Sequence, residues 1–158
     1  FGAIRMDEAY RAIEWRTIFL IACMIPLGLA MLETGAAAFL ARAVQSLAGG
    51  LGPLGMAGAL LVVAIGLSLF LGGQTTAVVV APIAVEAAGL IDADPRALGM
   101  AVAIGCSLVF LSPLGHPANL LVMSPGGYRP RDYLRLGAPL TAVTAVLALL
   151  GLHWIWGL

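Results

Sequence analysis

Two short polar interruptions in an otherwise apolar sequence hold the residues best suited to chemistry. The first is Gly72-Gly73-Gln74-Thr75-Thr76. The second is Ser112-Pro113-Leu114-Gly115-His116-Pro117, with Asn119 just beyond it. Glycine and proline break helices, and the accompanying side chains supply hydroxyls, amides and one imidazole. A helix that starts inside an apolar layer aims free N–H groups and a positive dipole end at its surroundings, which favours an anion. A helix that stops there offers unpaired carbonyls, which suit sodium. Arms starting at Thr76 and Ala118 would supply two amino ends, and arms stopping at Leu71 and Leu111 two carboxyl ends. Thr75, Thr76 and Ser112 add hydroxyls, while Gln74 and Asn119 add amides able to serve either ion or substrate. The candidate substrate- and ion-binding set is Gly72, Gly73, Gln74, Thr75, Thr76, Ser112, Pro113, Gly115, His116, Pro117 and Asn119, with sodium placed near Gln74, Thr75 and Asn119.

Each of these residues also has a plainer reading. Thr75 and Thr76 could cap the helix they begin, and Asn119 could pair with neighbouring backbone. His116 could serve as a proton site or be a hydrogen-bonded loop residue. Glu86 reads as an interfacial or paired carboxylate, and the glycines between positions 49 and 58 as close-packing positions. Cys23 and Cys106 lie in apolar stretches without neighbouring histidines, which fits packed, reduced thiols and no metal site. Ser112 with His116 is the one pair an intramembrane enzyme could use. They lie four apart on a proline-broken segment that denies them helical alignment, so no enzyme is expected.

The elements that must position these residues follow from composition. The chain of 158 residues is 61% hydrophobic and 10% charged, with a mean hydropathy of +1.04. Soluble domains carry about a quarter charged residues. Charges are absent from residues 17–32, 43–85, 97–128 and 136–158. Because about 20 apolar residues cross a bilayer, the chain reads as an all-α polytopic membrane protein whose partner is the lipid bilayer. Zero net charge gives no electrostatic case for a nucleic-acid partner.

Along the chain, residues 5–16 form a cytoplasmic amphipathic lead-in and 17–32 a first span carrying Pro26 and Gly28. Residues 36–48 form an interfacial helix with Arg42, Gln45 and Ser46 on one side. Residues 53–89 read as a re-entrant hairpin with arms 53–71 and 76–89, the alternative being two crossings joined by a surface loop. The second arm has 14 residues, about 21 Å against a core of about 30 Å. Non-helical backbone at membrane depth requires surrounding protein or a watery cavity. Asp92-Ala93-Asp94-Pro95 is an extramembrane turn in which Asp94 caps the next helix and Pro95 begins it. Residues 95–123 form a discontinuous helix broken after Leu111, 124–135 a polar loop, and 136–158 the last span, anchored by Trp154 and Trp156. All eight basic residues are arginines. Placing Arg5, Arg11, Arg16, Arg129, Arg131 and Arg135 in the cytoplasm puts the Asp92 turn and the C-terminus outside. Paired interrupted apolar segments point to the binding site of a secondary transporter. The chain begins with Phe1 rather than Met, which fits a piece whose upstream portion is missing.

Glu14-Trp15-Arg16-Thr17-Ile18-Phe19-Leu20, the tip Gly72-Gly73-Gln74-Thr75-Thr76-Ala77 with Ala81-Pro82 downstream, and the segment from Ser112 to Asn119 resemble the divalent-anion:sodium symporters. Those belong, with bacterial permease relatives, to a wider ion-transporter superfamily that includes citrate, sulfate and arsenite carriers. In that family the hairpin tip bears a Ser-Asn-Thr type motif and the broken helix a Thr/Pro-rich loop followed by Pro-Asn, both engaging substrate and sodium. Here the tip motif falls on Gly72, Gly73 and Gln74, a departure that replaces side chains by glycine backbone. The second motif falls on Pro117-Ala118-Asn119. The resemblance implies an inverted-repeat transporter, this chain holding most of the second repeat, with the N-terminal half of the same protein as its partner and a homodimer as the assembly. It further implies a bacterial-type inner membrane, no cofactor beyond sodium as coupling ion, and a small anionic substrate such as sulfate or a di- or tricarboxylate. An ion antiporter or arsenite-type exporter is the alternative.

Overall fold

The computed structural model describes residues 10–11, 15–48, 50–113, 116–123 and 125–158. Among them it is all-α, with seven helices and no strand. Most of the lead-in expected over 5–16, together with Leu114 and Gly115 of the second break, lies outside the described residues. Where the lead-in is described, Tyr10 stacks on Trp15 at 5.9 Å and accepts the Trp15 indole N–H on its carbonyl at 3.0 Å.

Helix α1 (Trp15–Glu33) runs unbroken through Pro26, and its 19 residues span about 28 Å. Cys23 is exposed on α1, which corrects the expectation of a packed thiol; among the described side chains of α1, Ile18, Phe19 and Leu29 are exposed as well. Helix α2 (Ala36–Ala48) has the expected bounds. Ala37, Ala41, Val44 and Ala48 recur every three or four residues, so they share one face, and that face is buried. It packs on the two helices that follow, while Arg42 and Ser46 point outward.

Helices α3 (Gly52–Leu71) and α4 (Gly73–Ile91) are joined by Gly72 alone. The first break is therefore narrower than the sequence predicts: α4 starts at Gly73 rather than Thr76, and it has 19 residues rather than 14. One residue suffices because Gly72 adopts φ 79° and ψ 154°, a region essentially closed to side-chain-bearing residues. Both helices are long and apolar enough to cross a membrane. The shortness that favoured a re-entrant hairpin is thus absent, although α3 and α4 do pack against each other.

Helix α5 (Pro95–Ser107) begins as predicted, with the Asp94 carboxylate accepting the Arg96 N–H at 2.8 Å. Asp94→Ala should cost about 1 kcal/mol, lowering the thermal midpoint of the purified full-length protein; an unchanged midpoint would exclude this cap. The helix stops at Ser107, before Leu111 where the break was expected. Pro113 has no N–H for the Val109 carbonyl and its ring would collide with it, and the residue before a proline avoids the α conformation. Residues 108–112 are consequently irregular. Helix α6 (Pro117–Met123) is the short resumed segment. Helix α7 (Pro130–Trp156) starts six residues before the predicted span, so Arg131 and Arg135 lie on helix rather than loop. Pro130 at its first position and the Asp132 carboxylate accepting the Arg129 N–H at 2.8 Å explain the early start.

The core lies between α3, α4 and α5, with α2 closing one side. Met56, Leu60, Leu61, Val80, Leu98 and Val102 are almost wholly buried in it. Gly105 lets α5 press into α3, since a Cβ there would meet the Leu61 carbonyl and the Ala64 Cβ at 2.8 Å. Close backbone approach through small residues is how helices pack where water provides no driving force. Helix α7 sits at the edge, its outer face showing Leu136, Val143, Leu147 and Leu150. So much exposed apolar surface on a chain this size belongs to a protein that meets lipid or further protein.

Candidate functional site

The two breaks meet. At the start of α4, a Cβ on Gly73 would lie 2.3 Å from the Cys106 carbonyl oxygen. That carbonyl belongs to the last turn of α5. The amino end of one helix therefore abuts the carboxyl end of another, and partial positive and partial negative charge face each other. Beneath them the Ser68 hydroxyl, fully buried in the last turn of α3, sits beside the Cys106 thiol without a hydrogen bond of regular geometry. No side chain caps the amino end of α4.

The candidate residues divide by what they already bond. The Thr76 hydroxyl donates to the Gly72 carbonyl at 3.0 Å and its side chain is buried, so Thr76 secures the turn. Thr75 is half-buried and Gln74 exposed on the first turn of α4. Pro113 is buried, and Pro117 begins α6. His116 is a capping residue: its Nδ1 accepts the Ala118 N–H at 3.2 Å and its carbonyl accepts the Asn119 N–H at 3.0 Å. These bonds occupy the amino end of α6, so the open helix start lies on α4.

Asn119 reaches back across the break. Its Nδ2 donates to the Val109 carbonyl at 3.0 Å and to the Ser112 carbonyl at 3.3 Å. The Val109 carbonyl is the acceptor that Pro113 cannot serve in a continuous helix. With both amide protons committed, the remaining polar atom of the Asn119 side chain is Oδ1. An acceptor suits a cation and repels an anion.

Sequence reasoning missed the contribution of α7. The Tyr133 hydroxyl donates to the Asn119 main-chain carbonyl at 2.8 Å. One turn on, a Cβ on Gly137 would stand 2.2 Å from the Phe110 carbonyl oxygen. Asn119, Tyr133, Phe110, Leu136 and Leu140 border a cavity of about 250 Å³ beside this contact. The available signal was a glycine one helical turn after a tyrosine, in a span that also holds four alanines and Gly151. Residue spacing alone does not say which neighbour such a glycine admits.

Apolar helices of membrane-crossing length, interrupted by glycine and proline where opposite helix ends meet, define an all-α polytopic membrane protein. The chain belongs to the citrate transporter family, whose model matches residues 1–105. That match covers the hairpin tip and stops just before the second break. The uncharacterized transporter YfbS of Escherichia coli (strain K12) is 37% identical over 143 residues, covering 90% of this chain and 23% of that protein. An uncharacterized transporter of Synechocystis is 35% identical over 156 residues, covering 99% of this chain and 26% of that protein. Sodium/sulfate cotransporter 1 of Chlamydomonas reinhardtii is 29% identical over 148 residues, covering 93% and 17% respectively. The chain spans about a quarter or less of the length of these relatives. A resemblance to divalent-anion:sodium symporters, read first from the two breaks, fits this family.

Proposed function

We propose that the protein containing this chain is a secondary active transporter that couples sodium to the movement of a small anion, sulfate or a di- or tricarboxylate. The observation that carries this reading is the uncapped amino end of α4, set by Gly73 against the carboxyl end of α5. Backbone N–H groups free of side-chain cover suit a compact oxyanion approaching closely. Sodium would take carbonyls of the α5 break, with the Thr75 hydroxyl and Asn119 Oδ1 as further oxygen donors. Relatives named as sodium/sulfate cotransporters support the substrate class. The remainder of the protein completes the site, and we place the whole in a bacterial-type inner membrane as a homodimer with the C-terminus outside.

The test is uptake of radiolabelled sulfate and succinate by the full-length protein in proteoliposomes, with and without an inward sodium gradient. Sodium-driven uptake of either anion is expected. Thr75→Ala should raise the apparent KM for anion or sodium by about three- to tenfold, the size of one lost hydrogen bond or ligand contact. Thr76→Val should lower the thermal midpoint and leave KM unchanged, because its hydroxyl serves the backbone. Absence of uptake of both anions under sodium and proton gradients alike would sink the anion-symporter assignment.

A further inference from the structure

We infer that one face of α7 is a splint across the broken helix, and that Tyr133 is its positioning residue, setting ligand affinity without touching ligand. The inference deepens the transport reading and rests on it for its functional arm. A helix broken by Pro113 loses the ladder of backbone bonds that would keep its two pieces in register. Something else must hold the end of α5 at a set distance from the start of α6.

Two groups on α7 are placed to do so, and a third marks the face they share. Tyr133, Gly137 and Thr141 succeed each other at intervals of four residues, so they lie on one face. Gly137 takes the upstream piece, its backbone lying so near Phe110 that a Cβ would overlap that carbonyl. Tyr133 takes the downstream piece through its 2.8 Å bond to the Asn119 carbonyl. The Thr141 hydroxyl, one turn further, is buried without a partner of its own, which marks this face as packed inward. The Tyr133 ring is itself braced edge-on by Tyr128 at 6.2 Å. Asn119 ties the same two pieces from inside, through Val109 and Ser112. Val109 and Phe110, in the irregular stretch that follows α5, and Asn119 on α6 are thus bridged twice, by the Asn119 amide and by α7.

Such a splint restricts how far the α6 piece drifts from the carboxyl end of α5. Removing the Tyr133 hydroxyl should loosen the spacing while leaving the helices intact, because the ring remains. Two measurements on the full-length protein test this. In proteoliposomes, Tyr133→Phe should raise the apparent KM for sulfate by about three- to tenfold at nearly unchanged maximal rate, and Tyr128→Phe should not. Independently of any substrate, nitroxide labels at the exposed positions Ala103→Cys and Leu121→Cys, in a background lacking other reactive thiols, should give one narrow distance distribution. Tyr133→Phe should broaden it and Tyr128→Phe should leave it narrow. Equal widths in all three proteins overturn the splint, whatever the transport result. A broadened distribution with no sulfate uptake even in the wild type would keep the splint and reject sulfate as the substrate. A broadened distribution with unchanged KM would show that the splint does not govern affinity, and overturns that part of the inference.

Discussion

Replacing Gly73 by alanine should reduce transport by about tenfold or more and lower the stability of the purified protein by about 1–3 kcal/mol. The added Cβ would fall 2.3 Å from the Cys106 carbonyl oxygen, well inside contact distance. Neither partner is the free end of a flexible side chain. One is the start of α4 and the other the last turn of α5, so relief requires the two helix ends to part. Parting them separates the amino end proposed to meet an anion from the carbonyls proposed to meet sodium. The matched control is Gly89→Ala, on the same helix, where a Cβ would meet nothing within 4 Å. There alanine should be neutral or stabilising by up to about 1 kcal/mol, because glycine carries an entropic cost in a helix interior. Uptake and thermal midpoint measured on both variants decide the matter. Equal behaviour would mean the two breaks do not touch in the working protein.

The second large effect is expected at Asn119. Asn119→Leu keeps the bulk but removes both donors, leaving the Val109 and Ser112 carbonyls without them. Each abandoned acceptor in an apolar setting costs about 1–3 kcal/mol. Asn119→Asp should be as damaging, since its ionised side chain offers only lone pairs to those two carbonyls. Both variants should lose transport by about tenfold or more and melt earlier. A residue that acted solely by touching ligand would lose affinity while keeping its melting temperature. Loss of uptake with an unchanged midpoint would therefore remove the structural part of the argument and leave Asn119 as a ligand contact alone.

The sequence was informative where a single residue's covalent chemistry decides the backbone. Asp94-Pro95 reads as a helix start and is one, since a carboxylate over the first turn and a ring with fixed φ need no distant partner. Helix α2 has the bounds its alanine-rich periodicity predicts. Boundaries set by longer-range contact were misread. The first break looked wider because glycine, glutamine and threonine are all tolerated in turns; one glycine accomplishes it, and Gly73, Gln74 and Thr75 enter the helix ahead of Thr76. The second break begins earlier than expected, as the effect of Pro113 runs four residues upstream to Val109. The polar approach to the last span looked like loop, yet Pro130 and Asp132 convert its second half to helix.

By itself, the sequence determined that the protein is an all-α membrane protein: four long charge-free stretches have no soluble solution. It also determined that helices are interrupted at two places, because glycine and proline act through their own backbone. Only the tertiary structure decided that these interruptions meet, that His116 is a cap, that Thr76 serves the turn and that the Asn119 amide bridges the second break. It alone brought Tyr133 and Gly137 into the account. A hydroxyl or a missing Cβ has no meaning until a neighbour stands at 2–3 Å. Which neighbour that is depends on how helices far apart in the chain pack together.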